Sequence, residues 1–122
     1  MVEFGPHLML DGYDCDRANL DDEGLVRGIL GELPGELGMK ILGGPVVERY
    51  LGNGGHDPGG LSGFVMITDS HISIHTVPEK GFVSVDVYSC KEFDVERAKG
   101  YFKDKFGIGK MDVNLVKRGT HY

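Results

Sequence analysis

The sequence predicts an α+β fold, a two-layer sandwich in which helices cover one face of a mainly antiparallel sheet. Strand-like segments outnumber helical ones, and short turns join several of them. Two other segments, which follow Asp22 and Asp94, place apolar residues at helical spacing. With 122 residues, of which 40% are hydrophobic and 26% are charged, the chain has the size and composition of a soluble globular domain. We expect a single domain spanning residues 1–122.

The first half of the chain is predicted to contain one helix between strands. His7–Tyr13 has the pattern of a first strand. Asp21 and Asp22 are candidate N-caps of a helix. It is predicted to run to about Leu33, where Pro34 ends or bends it. Two short strands and a turn-rich loop are predicted next: Met39–Leu42 and Val46–Leu51 around Gly43-Gly44-Pro45, then Leu51–Gly60.

The second half is predicted to contain three closely spaced strands, a helix and a last strand. Pro78–Gly81 has the composition of a turn between two of the strands. Asp94 is a candidate N-cap of a helix that reaches about Phe106. The predicted strands are Ser62–Thr68, Ser70–Val77, Phe82–Ser89 and Lys110–Val116.

The segment Phe82–Tyr88 bears on assembly because both of its faces carry apolar residues. Val83, Val85 and Val87 take one face, whereas phenylalanine, serine, aspartate and tyrosine alternate on the other. A sheet with helices on one side leaves that second face uncovered. A second subunit could cover it, and a sheet that is simply half exposed to solvent is the alternative.

Charge and cysteine content restrict the function classes. The net charge of −6 and the lack of a basic stripe argue against nucleic-acid binding and are compatible with a cationic substrate. Cys15 and Cys90 are too few for a disulfide scaffold, so we expect a cytoplasmic protein in which one of these thiols is free for chemistry. No apolar run approaches the ~18 residues of a membrane helix.

Chemically useful side chains are densest between Thr68 and Cys90. His71 and His75 would lie about 13 Å apart on a strand, too far for one zinc ion, so no metal site is predicted. Ser70 lacks the Gly-x-Ser-x-Gly pattern of many serine hydrolases. Because catalytic triads are defined by geometry, a hydrolase stays open as an alternative.

The same segment resembles the prokaryotic S-adenosylmethionine decarboxylase proenzymes. The resemblance rests on several motifs: Ser62-Gly63, Asp69-Ser70-His71-Ile72-Ser73-Ile74-His75-Thr76-Val77-Pro78-Glu79, and Asp86-Val87-Tyr88-Ser89-Cys90. It extends to both ends of the chain, in Gly5-Pro6-His7-Leu8, Asp11-Gly12-Tyr13-Asp14-Cys15-Asp16 and Lys117-Arg118-Gly119.

The resemblance implies a self-cleaving enzyme that carries a pyruvoyl group. Ser70 would attack the carbonyl of Asp69 and become the pyruvoyl group, leaving chains of residues 1–69 and 70–122. The ketone would form a Schiff base with the substrate amine and act as an electron sink, which side chains do not offer. His75 would remove the Cα proton during cleavage, Ser62 would assist by hydrogen bonding, and Cys90 would protonate the decarboxylated substrate.

The resemblance also implies an assembly and a cellular role. Small members of the family pair as homodimers with active sites at the interface, so we expect two processed protomers whose sheets face each other. The product would supply an aminopropyl donor for spermidine synthesis. Asp11, a carboxylate suited to a cation, and Glu79 are candidate substrate contacts, and no metal is expected.

The chain departs from the family pattern near the expected pocket. Asp69 stands where Glu is usual, Val77 stands where an aromatic residue is common, and the loop 52–60 is longer than in short bacterial members. Arginine or ornithine therefore stay open as alternative substrates, since both carry an α-amino group and a distal positive charge. An unprocessed, non-enzymatic relative that binds a nucleoside or a protein partner is a further alternative.

Overall fold

The computed structural model describes residues 3–122 and contains a six-stranded antiparallel sheet. The strand order across the sheet is β2-β3-β4-β5-β1-β6. Its strands are β1 (Gly5–Tyr13), β2 (Ile41–Tyr50), β3 (Gly60–Ile67), β4 (Ser70–Val77), β5 (Phe82–Ser89) and β6 (Lys110–Arg118). The predicted α+β class with an antiparallel sheet is confirmed, and β4 and β5 have the predicted bounds.

Three helices connect the strands: α1 (Arg17–Leu20), α2 (Glu23–Glu36) and α3 (Val95–Phe106). Asp22 and Asp94 are the N-caps of α2 and α3, because each carboxylate accepts a backbone N–H bond of 3.0 Å three residues on. Both predicted caps are confirmed. The short α1 was not predicted, since four residues are too few to show helical periodicity.

The end of the first helix and the break between two strands were predicted wrongly. Helix α2 does not end at Leu33; it continues through Pro34 to Glu36, and Leu37 N–H still bonds to the Leu33 carbonyl at 3.1 Å. A proline this close to the end of a helix removes one backbone donor and leaves the last turn in place. The strands predicted on either side of Gly43-Gly44-Pro45 form one strand, β2, whose register shifts at these residues. Glycine and proline mark a bulge here rather than a chain reversal.

The helices pack on one face of the sheet, and the core lies between them. Inward-facing strand residues such as Leu10, Val85 and Ile74 are fully buried beneath Leu30 of α2 and Phe102 of α3. Each strand of the centre alternates buried and partly exposed residues, as expected for a sheet covered on one side.

The opposite face, here called the open face, is not covered by any helix of residues 3–122. It carries polar side chains together with exposed apolar ones, including Phe64 and Met66, which are 41% and 45% exposed. Within residues 3–122, the structure has no helix that is both long and apolar enough to span a bilayer.

Candidate functional site

The hairpin between β3 and β4 presents the first group of predicted site residues. Ile67 pairs with Ser70, so Thr68 and Asp69 alone form the turn. Ser70 is the first residue of β4 and pairs with Ser89 at the end of β5, which places Cys90 beside the turn. We call Asp69, Ser70 and Cys90 the hairpin cluster.

The backbone carbonyl of Asp69 is polarised by a neighbouring amide. The Cys90 N–H donates a hydrogen bond of 2.8 Å to the Asp69 carbonyl oxygen. The Cys90 Sγ lies 3.7 Å from Asp69 Oδ1, within reach of a weak thiol donor. An N–H that already points at a carbonyl oxygen stabilises negative charge developing there, as in an oxyanion hole.

Ser70 has an unfavourable backbone conformation. Its φ is 153°, and the only other non-glycine residue of 3–122 with a positive φ is Asp14. Such conformations cost of order 1–3 kcal/mol and are retained where the surrounding structure enforces them. The predicted cleavage site is the Asp69–Ser70 peptide bond, so the strained residue directly follows it.

Three further predicted residues, together with Ser84, which was not predicted, form a row across the open face. Asp11, Ser84, His75 and Ser62 are successive register partners on β1, β5, β4 and β3. The Ser84 hydroxyl donates to Asp11 Oδ1 at 2.9 Å, and His75 Nδ1 lies 3.1 Å from Ser62 Oγ. We call these four residues the open-face row.

The two groups do not meet within one chain. Ser70 and His75 occupy opposite ends of β4, so their Cα atoms are about 16 Å apart at roughly 3.3 Å per residue. General base catalysis needs hydrogen-bond reach. The structure therefore brings Ser62 to His75 and Cys90 to Asp69, but it does not bring His75 to Ser70.

Glu79 lies apart from both groups. It is exposed in a short 3₁₀ turn, Pro78–Lys80, and faces a cleft shared with Arg49 and Tyr50. A larger cavity of about 400 Å³ opens where β4 ends, and the loop after β2 contributes His56 and Asp57 to it beside His75. The glycine-rich loop thus borders the open-face row, which its composition alone did not indicate.

The open face contains further polar contacts that sequence reasoning missed. His7 Nε2 lies 2.8 Å from Asp86 Oδ1, and the Ser73 hydroxyl donates to Asp86 Oδ2 at 3.2 Å. His71 stacks on Phe64, and burial, followed by the charge of His7, lowers its pKa. Strand alternation on β1, β4 and β5 was the signal that could have placed these residues on one face.

The two cysteines differ in chemistry. Cys15 is buried, and desolvation followed by the charge of Asp14 raises the pKa of its thiol to about 11. Cys90 is exposed at the hairpin cluster. In the part of the chain that the structure describes, no three His, Cys, Asp or Glu side chains are grouped to hold a metal ion.

Comparison with known proteins gives concordant results. A family model described as S-adenosylmethionine decarboxylase matches residues 6–119. The S-adenosylmethionine decarboxylase proenzyme of Acetivibrio thermocellus is 34% identical over 98% of this chain and 92% of its own length. That of Pyrococcus furiosus is 35% identical, covering 98% and 81%. The crystal structure of the adenosylmethionine decarboxylase from Aquifex aeolicus superposes with a TM-score of 0.77 at 29% identity, over 98% of this chain and 93% of that one.

Proposed function

Because this chain belongs to the S-adenosylmethionine decarboxylase family, we propose that it cleaves itself before Ser70 and decarboxylates S-adenosylmethionine with the resulting pyruvoyl group. The product would supply an aminopropyl donor for spermidine synthesis. The observation that carries the proposal is the Asp69 carbonyl, which the Cys90 amide holds at 2.8 Å beside the strained Ser70.

Cleavage begins with an acyl shift at the hairpin cluster. Ser70 Oγ attacks the Asp69 carbonyl carbon, the carbonyl oxygen takes up negative charge, and the Cys90 N–H stabilises it. The C–N bond then breaks as the Asp69–Ser70 ester forms, and the serine nitrogen receives the hydroxyl proton. Release of the strain at Ser70 favours this step, because the peptide bond that enforces the backbone conformation is lost.

Elimination completes the cleavage. A base removes the Ser70 Cα proton, the Cβ–Oγ bond breaks, and Asp69 leaves as a terminal carboxylate. The elimination leaves a dehydroalanine at the start of chain 70–122, which becomes an imine as a proton moves to Cβ. Hydrolysis of this imine by water releases ammonia and leaves the keto group. This keto group, once formed, supplies the electron sink for loss of carbon dioxide.

The base for this elimination comes from a second subunit in our proposal. His75 of the same chain is about 16 Å from Ser70, and the open face between them is uncovered. In the proposed dimer, two open faces pack together around a two-fold axis that lies between them and is perpendicular to the strands. The β4 strands of the two subunits then run in opposite directions. His75 of the partner subunit, with Ser62 beside it, then lies over the hairpin cluster. The proposed enzyme is a homodimer with two composite sites.

The remaining residues are assigned to the substrate. Cys90, an exposed thiol at the hairpin cluster, would deliver a proton to the substrate carbon that loses carbon dioxide. Asp11 and the other open-face carboxylates, Asp86 and Asp112, are the proposed groups that attract the sulfonium cation. Glu79, which lies apart from both groups of site residues within one chain, stays a candidate substrate contact.

The mass of the denatured protein tests the proposal most directly. Two fragments that divide before Ser70 are expected, the second lighter than its serine form by one ammonia. A single intact chain would contradict self-cleavage and favour a non-enzymatic relative that binds a ligand. Ser70→Ala, expected to remain intact, is the control for adventitious proteolysis.

Co-expression tests the composite site. Ser70→Ala and His75→Ala chains, tagged to differ in mass, are each expected to stay intact alone. In a mixed dimer, the His75→Ala chain keeps Ser70 and receives His75 from its partner, so this chain alone is expected to split. If neither chain is cleaved when they are co-expressed, His75 does not act across the interface.

The substrate is tested by carbon dioxide release. The cleaved protein is expected to release it from carboxyl-labelled S-adenosylmethionine and not from arginine or ornithine. Release from either amino acid instead would retain the pyruvoyl group and reject the proposed substrate.

A further inference from the structure

The segment between α2 and β2 contacts both sides of the hairpin cluster. The Lys40 carbonyl accepts a hydrogen bond of 2.9 Å from the Thr68 N–H, in the turn that precedes the predicted cleavage site. The Gly38 carbonyl accepts one of 2.7 Å from the Lys91 ammonium. Residues 38–40 therefore join the turn that carries the attacked carbonyl to the segment that carries its amide donor.

The Cys90 amide is fixed from its other sides as well. The Ser89 hydroxyl oxygen accepts a hydrogen bond of 3.0 Å from the Lys91 N–H, and Ser89 is fully buried opposite Ser70. Strand β1 begins against this turn at Gly5, where a Cβ would lie 1.9 Å from the Ser89 carbonyl oxygen and 2.6 Å from Cys90 Cα. Contacts on both sides of Cys90 therefore restrict the direction of its N–H.

We infer that Lys91 and Ser89 are positioning residues for self-cleavage, acting through the Cys90 amide. The inference rests on the proposed function, since it assigns a role in forming the Asp69–Ser70 ester. In the structure, the Ser89 hydroxyl and the Lys91 ammonium form hydrogen bonds with the Lys91 N–H and the Gly38 carbonyl, and neither forms one with Asp69 or Ser70. They hold a donor whose effect depends on its placement, because an amide stabilises an oxyanion only from hydrogen-bond distance.

A purely structural role for Lys91 is the competing explanation. Lysine side chains commonly bind carbonyls at the ends of helices, and Gly38 directly follows the C-cap of α2. In that case the loss of the ammonium would lower stability slightly and leave ester formation unchanged. The two explanations therefore differ in which rate they affect.

The rate of cleavage in cell-free translation separates them. Full-length chain labelled with methionine is followed on denaturing gels after synthesis is stopped, because each fragment contains methionine. Lys91→Met is expected to slow the appearance of fragments at least about tenfold. This effect is smaller than the rate loss of about 100- to 1,000-fold caused by removing an oxyanion donor, because the Cys90 N–H is displaced and not removed. Lys99→Met, at a half-buried lysine paired with Glu96 on α3, is the matched control and is expected to cleave at the wild-type rate.

Hydroxylamine identifies the step that is slowed, because it cleaves esters directly. Lys91→Met is expected to contain little ester, so hydroxylamine should not restore its splitting. His75→Ala, blocked at elimination, is expected to accumulate ester and to split when hydroxylamine is added. Rapid splitting of Lys91→Met in hydroxylamine would place its defect after ester formation and overturn the inference.

Ser89→Ala provides a second variant that introduces no steric clash. It is expected to slow the same step, and Ser89→Ala with Lys91→Met should be no slower than the slower single variant, because both act on one turn. Independent, multiplicative effects would overturn the inference, as would wild-type rates for Lys91→Met. Failure of the wild-type chain to cleave would instead reject the proposed function.

Discussion

At the residue scale, Ser70 combines the hydroxyl of the proposed nucleophile with a strained backbone. Its φ of 153° is disfavoured for any residue with a Cβ, whereas glycine adopts it without that penalty. The sequence motif identified Ser70 as the expected nucleophile but gave no indication of its backbone conformation. The strain depends on how the hairpin meets β5, which is a tertiary property.

Two variants that cannot cleave measure this strain. Ser70→Gly is expected to be more stable than Ser70→Ala by about 1 kcal/mol in urea unfolding, because glycine relieves the positive φ. At Ser73, a regular position of the same strand, the glycine variant should instead be less stable than the alanine variant. Equal stability of the two Ser70 variants would mean that the backbone relaxes there without cost.

His71 is expected to make the fold sensitive to acid. Burial lowers its pKa, as do the charges of His7 and Arg118, with Asp86 opposing. A histidine whose folded pKa lies below its unfolded value of about 6.5 favours the native state only while neutral, so stability is lost as pH falls below that value.

The prediction compares His71→Phe with the wild type in urea unfolding at about pH 7.5 and 5.5. Phenylalanine keeps the ring contact with Phe64 and cannot be protonated. The loss of unfolding free energy on acidification should be smaller in His71→Phe. An unchanged loss would show that other groups cause the acid sensitivity, and His121→Phe, at an exposed histidine near the end of the chain, is the control.

At the element scale, local sequence signals predicted most of the fold. Alternation located β4 and β5, and Asp22 and Asp94 marked the starts of α2 and α3, because these signals depend on neighbouring residues alone. The break predicted at Gly43-Gly44-Pro45 was wrong, since glycine and proline serve turns and bulges alike. Only pairing with β3 distinguishes the two.

The candidate site was predictable as a set of residues but not as an arrangement. The spacing that excluded a shared metal for His71 and His75 applies equally to Ser70 and His75, and it could have shown that these two residues are separated along β4. Lys91 left no signal in the sequence. Its contact with Gly38 joins segments more than fifty residues apart.

The N-cap of α3 yields a prediction at this scale. Asp94→Ala removes the acceptor of the Arg97 N–H and should lower the unfolding free energy by about 1 kcal/mol. Asp104→Ala, at an exposed aspartate within the same helix, should change it little. Comparable losses in both variants would show that the net charge of α3 matters more than its cap.

At the scale of the whole molecule, the open face is the surface on which the proposed enzyme depends. Phe64 is 41% exposed on this face, and Leu51 is 88% exposed on the neighbouring loop. If two open faces pack together, a charge at Phe64 disrupts the dimer, whereas a charge at Leu51 remains in solvent.

Sedimentation tests this assembly. Phe64→Asp is expected to behave as a monomer and to cleave poorly, since it lacks His75 of the partner subunit. Leu51→Asp is expected to remain a dimer and to cleave normally. A wild-type chain that sediments as a monomer at micromolar concentration, or a monomeric Phe64→Asp that cleaves normally, would contradict the composite site.

The strand order of the sheet determines how the proposed cleaved protein could refold after it unfolds. After the proposed cleavage, β1, β2 and β3 would belong to one polypeptide and β4, β5 and β6 to the other, with β1 inserted between β5 and β6. The intact precursor folds as one molecule, but the two pieces can regain the sheet only by colliding. The fraction of cleaved protein that refolds after denaturation would therefore decrease as the protein is diluted. The lifetime of the cleaved enzyme would then depend on how fast it unfolds.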